Sequence, residues 1–181
     1  LRRWDVFYPV LGTILGRRAG SAVAVIDGLQ GCTNEDRLKA LGAAAASAGG
    51  VGLFHVAGVT PEAPDLAGAL GHVPPRERIA LTAQDVAAAL AGLSTAGGSE
   101  RIDAVAIGSP HLSLAEIDAL ERLIAGRRLA IPLYANTGRH VLAPLERAGR
   151  RKALETAGVV FVADTCVVVT PILPQIAGAV L

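Results

Sequence analysis

A carboxylate, a hydroxyl and a thiol occupy three consecutive positions late in this 181-residue chain, as Asp164, Thr165 and Cys166. They follow Val159–Ala163, a short apolar run that predicts a buried strand. In a parallel α/β sheet, ligands bind in the crevice beyond the carboxyl ends of the strands. The three side chains could therefore ligate a metal or hold a substrate. The alternative is that Cys166 is purely structural, because free cysteine is among the most buried residue types.

A second polar segment, Gly108-Ser109-Pro110-His111, follows the predicted strand Ile102–Ile107. Glycine lets the backbone approach a ligand closely, and proline constrains the bend. Ser109 and His111 would lie near the start of a helix, whose free N–H groups favour an anion. They could bind a substrate carboxylate, or His111 could transfer a proton. The alternative is a helix-capping loop with a partly buried histidine.

A third polar segment, Asn136-Thr137-Gly138-Arg139-His140, follows the predicted strand Leu129–Tyr134. Arg139 could bind a carboxylate through two N–H groups, since its guanidinium matches carboxylate geometry. Alternatively, Arg139 and His140 are solvated residues in the first turn of a helix. The helix dipole disfavours cations there, which gives modest support to an anionic partner. If all strands run in one direction, the three polar segments should meet at one edge of the sheet.

Predicted strands and helices alternate along the chain. The strands are Ala22–Ile26, Val51–Ala57, Arg78–Leu81, Ile102–Ile107, Leu129–Tyr134 and Val159–Ala163. The main helices are Trp4–Gly16, Glu35–Ala48, Ala83–Leu93, Leu114–Ala125 and Thr137–Ala157. This alternation implies a parallel sheet with right-handed crossovers and helices on both faces. We therefore predict a single α/β domain over residues 1–181, with three α/β/α layers and a mainly parallel sheet.

Composition argues against several kinds of partner. The net charge of +1 and the aromatic content of 3% give no support for nucleic acid binding. No run reaches the roughly 18 apolar residues of a membrane-spanning helix. Two cysteines are too few for a disulfide framework and fit a reduced, cytoplasmic protein. The chain contains no Met, so we expect it to be a piece of a longer protein.

Several blocks of the chain, in order, resemble the catalytic region of the aconitase X family. The blocks are Phe7-Tyr8-Pro9, Leu38–Ser47, Leu53–Ala63, Gly108–Ser113, Tyr134–His140 and Asp164-Thr165-Cys166. The resemblance implies an aconitase-like domain of a hydro-lyase. Family members act on small hydroxy acids such as cis-3-hydroxy-L-proline, or on phosphomevalonate. They carry iron or an iron–sulfur cluster, and they pair the catalytic part with a small swivelling domain or subunit.

The resemblance also implies roles for the residues of the three polar segments. Cys166 is the expected metal ligand, and Ser109 and His111 are the expected catalytic residues. The expected substrate-binding residues are Asn136, Thr137, Arg139, Asp164 and Thr165. The family often has cysteine where this chain has Ser109, which puts a complete three-cysteine cluster in doubt. We expect the isolated 181 residues to be inactive and to bind no metal.

Two other functions stay open at this point. The chain could be a non-catalytic scaffold or interface domain whose active site is completed by other segments. It could also be a metal-free enzyme that uses His111 as its acid–base group.

Overall fold

The computed structural model describes residues 1–94, 101–173 and 179–180. The chain divides into two compact units, Leu1–Thr95 and Ala96–Leu181. Each unit has its own hydrophobic core. We predicted a single α/β domain over residues 1–181, and the described residues fall into two compact units. Hydrophobic periodicity locates the buried face of each element, but it does not say which elements share a core.

The first unit contains four helices and two strands among its described residues. They are α1 (Phe7–Ala19), β1 (Ala24–Ile26), α2 (Glu35–Gly49), β2 (Phe54–Val56), α3 (Leu66–Ala69) and α4 (Ala83–Ala91). The two strands pair in parallel, with Ala24 opposite Phe54. Tyr8 and Leu41 are fully buried at the centre of its core. The predicted start of α2 is confirmed, because the Asn34 side chain accepts a hydrogen bond from the Arg37 N–H at 2.9 Å.

The second unit contains the longer strands. Its described elements are β3 (Ile102–Leu112), α5 (Leu114–Ile124), β4 (Leu133–Thr137), α6 (Arg139–Arg147), α7 (Arg150–Ala157), β5 (Val159–Ala163) and β6 (Ala179–Val180). The strands lie in the order β5-β4-β3-β6, and every neighbouring pair is parallel. Helices α5, α6 and α7 contribute Ile117, Leu145 and Leu154 to the core of this unit. The carboxyl ends of β3, β4 and β5 therefore share one edge.

The predicted α/β class and parallel pairing are confirmed, and several details differ. Strand β4 lies at Leu133–Thr137 rather than at the predicted Leu129–Tyr134, so Asn136 and Thr137 belong to the strand and do not follow it. The strands form two sheets, one in each unit, rather than one. Arg78–Leu81 is not a strand, and its apolar residues Ile79 and Leu81 are exposed. The long helix expected over Thr137–Ala157 begins at Arg139 and is broken at Gly149, whose φ of 68° is outside the helical region. Across the described ranges, none of the helices is long and apolar enough to cross a membrane.

Candidate functional site

The pairing of β3 with β4 is interrupted by a bulge over the segment that was predicted to be a loop. Ile107 pairs with Ala135, and the next paired residue of β3 is Leu112, opposite Thr137. Residues 108–111 of β3 therefore lie opposite the single residue Asn136. Gly108 has a φ of 95°, and a Cβ atom there would lie 2.2 Å from the Asn136 carbonyl oxygen. Glycine is thus required for a close approach to β4, rather than to a ligand as the sequence suggested.

Two side chains of β4 hold the two ends of this bulge. Asn136 donates from Nδ2 to the Ile107 carbonyl at 2.7 Å, and Thr137 donates from Oγ1 to the Leu112 carbonyl at 2.6 Å. Both residues are 0% exposed. Their side chains therefore contact the main chain of β3 and present no surface to a substrate. The sequence located these two residues at the correct edge, but it could not show that they point inward.

The turn after β5 joins the ends of two strands to the start of α6. Asp164 has a φ of 59°, and its N–H donates to the Thr137 carbonyl at 2.9 Å. Its carboxylate accepts from the Arg139 N–H at 3.0 Å and also pairs with the Arg139 guanidinium. These two hydrogen bonds, the main-chain one first, hold the pKa of Asp164 below its ordinary value. Asp164 thus occupies the anion-binding position at the helix start that the sequence assigned to a substrate carboxylate.

Cys166 lies on the same turn, half-buried, beside the β3 bulge. The Ser109 hydroxyl donates to the Cys166 sulfur, with the two atoms 3.8 Å apart. The Val168 N–H, followed by this Ser109 hydroxyl, lowers the pKa of the Cys166 thiol. The thiolate is the form that ligates metals.

His111 connects the bulge to the turn at a second point. Its Nε2 atom lies 3.1 Å from the Thr165 carbonyl oxygen, which can only accept, so Nε2 donates. Thr165 also shares a hydroxyl–hydroxyl hydrogen bond of 2.6 Å with Thr170. Thr170 was not among the predicted site residues, although a hydroxyl residue immediately before Pro171 was the available signal. Ser109 and His111 thus both contact the turn that carries Asp164, Thr165 and Cys166.

The donor atoms of this site do not form a complete metal-binding set. Across the described residues, no group of three or more His, Cys, Asp or Glu side chains is placed to hold a metal ion. Cys166 is the single thiol at this edge, and its neighbour is a serine hydroxyl. One thiolate fits one position of an iron site, and further ligands would have to come from outside the described residues.

The fold and the site define an α/β protein with a polar cluster at the carboxyl edge of a parallel sheet, the location at which ligands bind in such folds. The model of the second domain of aconitase X matches residues 2–91, and that of the third domain matches residues 102–181. The chain belongs to the aconitase X family. The crystal structure of Thermococcus kodakaraensis aconitase X in its holo form matches 92% of this chain with a TM-score of 0.77 and 28% identity.

Two named relatives show what kinds of enzyme this chain is similar to. It is 42% identical over 165 residues to the cis-3-hydroxy-L-proline dehydratase of Pseudomonas aeruginosa, covering 90% of the chain and 28% of that protein. It is 37% identical over 169 residues to the phosphomevalonate dehydratase large subunit of Methanothermobacter thermautotrophicus, covering 91% of the chain and 40% of that protein. The chain thus spans less than half the length of each of these relatives.

Proposed function

We propose that this chain forms part of a hydro-lyase that removes water from a small hydroxy acid such as cis-3-hydroxy-L-proline. The observation that carries the proposal is the contact between Ser109 and Cys166 at 3.8 Å, beside His111. It brings a thiol with a lowered pKa, a hydroxyl and an imidazole to the edge where this fold binds ligands. The 42% identity to a named dehydratase gives separate support.

Dehydration of a hydroxy acid needs a base for the proton next to the carboxylate and a Lewis acid for the departing hydroxide. Iron with an open coordination position would supply the Lewis acid. Cys166 would contribute one thiolate ligand, and segments outside the described residues would contribute the others. Ser109 would hold the Cys166 sulfur in place by its hydrogen bond. His111, fixed through Nε2 to the Thr165 carbonyl, would act in proton transfer at the same edge.

Substrate binding would use the exposed pair of Arg139 and Asp164. The Arg139 side chain is 84% exposed, and Asp164 pairs with its Nε atom. Guanidinium N–H donors beyond Nε would then bind the substrate carboxylate, while Asp164 fixes the orientation of the planar group. Thr165 would bind substrate with them through its hydroxyl group.

The alternative substrate is phosphomevalonate, as the name of the relative that is 37% identical indicates. That relative is called a large subunit, which supports a partner that is either a small subunit or a swivelling domain of the same chain. The higher identity to the hydroxyproline enzyme favours the small hydroxy acid. Assays of the full-length protein with both substrates would decide between them.

The direct test replaces Cys166 in the full-length protein, purified without oxygen. We expect Cys166→Ala to remove bound iron and to lower kcat by about a hundredfold or more, since loss of a residue that only supports a ligand already costs 10–100-fold. Cys32→Ala is the matched control, because Cys32 is also a free, half-buried cysteine but lies in the first unit. The control should keep both iron and activity.

Three results would contradict the proposal. If Cys166→Ala keeps its iron and turns over at the wild-type rate, Cys166 is not a ligand. If the wild-type protein is active without iron and His111→Ala abolishes activity, a metal-free acid–base enzyme is the better description. A full-length protein that dehydrates neither substrate would instead favour a scaffold or interface role.

A further inference from the structure

We propose that Asn136 and Thr137 are positioning residues, which hold the β3 bulge so that Ser109 and His111 reach the turn of residues 164–166. The sequence had assigned both residues to substrate binding. The effect on catalysis rests on the proposed function, whereas the effect on the position of the bulge does not.

The pairing between β3 and β4 is interrupted where the two side chains form their hydrogen bonds. Regular pairing stops after Ile107 and resumes at Leu112, so residues 108–111 have no opposite partners other than Asn136. At these two points Asn136 Nδ2 donates to the Ile107 carbonyl at 2.7 Å, and Thr137 Oγ1 donates to the Leu112 carbonyl at 2.6 Å. The two side chains thus anchor both ends of the segment that leaves the regular ladder.

Both donor side chains are buried. Asn136 and Thr137 are 0% exposed, so removing either donor would take a part-buried hydrogen bond from the Ile107 or the Leu112 carbonyl. Asn136 Oδ1 is itself buried and has no hydrogen-bond partner among the described residues. A buried amide oxygen without a partner is costly, and an apolar side chain would avoid that cost. We therefore attribute the role of asparagine at this position to its Nδ2 group, which donates to the Ile107 carbonyl.

The bulge contains Ser109 and His111, which contact the turn of residues 164–166. Ser109 reaches Cys166 at 3.8 Å, and His111 reaches the Thr165 carbonyl at 3.1 Å. A Cβ atom at Gly108 would lie 2.2 Å from the Asn136 carbonyl oxygen, so only glycine fits where the bulge approaches β4. A displacement of about 1 Å can cost on the order of a hundredfold in rate when it misplaces reacting groups. Anchors at the two ends of the bulge therefore control both contacts.

The test compares Thr137→Val, which keeps the shape of the side chain but removes the donor, with Thr137→Ser, which keeps the hydroxyl. In the full-length protein, we would measure amide hydrogen exchange of residues 107–113 and, separately, kcat and KM. Thr137→Val should speed exchange in this segment by about fivefold or more, as expected for losing one buried hydrogen bond. Exchange in α5 and α7 should stay unchanged. kcat should fall by about tenfold or more, with KM changed less, and Thr137→Ser should restore both.

Thr13→Val is the matched control, because Thr13 is also buried and donates to a carbonyl, that of Pro9, at 3.0 Å in α1. It should leave exchange in residues 107–113 at the wild-type rate. Should Thr137→Val fail to fold, Asn136→Ala removes the anchor at the other end and is judged by the same measurements.

The inference is overturned if exchange in residues 107–113 is unchanged, or if it rises equally throughout the second unit, since the role would then be general stability. It is also overturned if local exchange rises while kcat stays at the wild-type value. A wild-type protein without dehydratase activity would refute the proposed function alone. Local exchange would then decide by itself whether the two residues position the bulge.

Discussion

At the scale of single residues, Asp164 shows how one side chain can link several elements. Its N–H donates to the carbonyl of Thr137, the last residue of β4. Its carboxylate accepts from the N–H of Arg139, the first residue of α6. Its φ of 59° turns the chain so that both bonds form at once. Asp and Asn adopt this conformation more readily than most residues. Asp164 therefore stabilises the corner from which Thr165 and Cys166 extend.

The lowered pKa of Asp164 predicts a dependence of stability on pH. Because the pKa is lower in the folded protein than in the unfolded chain, the ionised carboxylate stabilises the fold above about pH 4. That stabilisation is lost as the pH falls through the folded pKa. Asp164→Asn keeps a residue suited to positive φ but cannot ionise. Thermal unfolding at pH 6 and pH 2.5 should therefore show a smaller decrease in Tm for Asp164→Asn than for the wild type.

Equal decreases in Tm for the two proteins would contradict this prediction. They would mean that other carboxylates carry the acid sensitivity of the second unit. Arg139→Gln offers a further check, because it removes the guanidinium and keeps the main-chain N–H that binds Asp164. Its decrease should lie between those of the wild type and Asp164→Asn.

At the scale of elements, a charged cluster joins α7 to α5 in the second unit. Arg150 donates from Nη2 to Asp118 at 2.5 Å, and from Nε and Nη2 to Glu121 at 2.9 and 2.5 Å. The carboxylate of Glu121, followed by that of Asp118, raises the pKa of Arg150. A planar guanidinium can satisfy both carboxylates at once, whereas a lysine ammonium cannot reproduce this geometry.

We therefore expect Arg150→Lys to lower the free energy of unfolding of the second unit by about 1 kcal/mol, a value kept small by solvent exposure. Arg151→Lys is the matched control, because the closer partner of Arg151 is Glu155, one helical turn away within α7 at 2.8 Å, while Glu146 of α6 lies at 3.7 Å. It should change the free energy by less than about 0.5 kcal/mol. Urea unfolding of both variants measures the difference. Equal effects would show that the link between α5 and α7 contributes nothing beyond an ordinary surface pair.

At the scale of the whole chain, each of the two units has its own hydrophobic core. Leu41 is buried in the core of the first unit, and Leu145 in that of the second. The two aconitase X domain models match nearly the same two parts of the chain, residues 2–91 and 102–181. Each core should therefore respond mainly to changes in its own unit.

The prediction is that Leu41→Ala and Leu145→Ala act on different units. Truncating a buried leucine typically costs about 2–5 kcal/mol, because it removes apolar contacts and leaves a cavity. Amide hydrogen exchange, followed unit by unit, should show lost protection in the first unit for Leu41→Ala and in the second for Leu145→Ala. If either substitution exposes both units equally, the chain unfolds as one cooperative body.

Local signals in the sequence were enough to find most elements and the capped starts of α2, α4 and α5. Ser113 followed by Glu116 predicted a capping box at the start of α5, and both hydrogen bonds of that box are present. The apolar run 159–163 became β5 without change. Alternation of strands and helices predicted parallel pairing, which placed the three polar segments at one edge. These signals succeed because capping and periodicity depend on neighbours a few residues apart.

Contacts between residues far apart in the chain decided the rest. Arg78–Leu81 has the composition of a strand but has no partner strand, and pairing is what makes a strand. Asn136 and Thr137 were predicted to bind substrate. In the structure their side chains donate hydrogen bonds to main-chain carbonyls of β3 instead. Arg139 was expected to bind a substrate carboxylate, and Asp164, 25 residues away, accepts from its main-chain N–H and also pairs with its guanidinium. Burial and partner choice depend on packing between distant segments, which no local pattern contains.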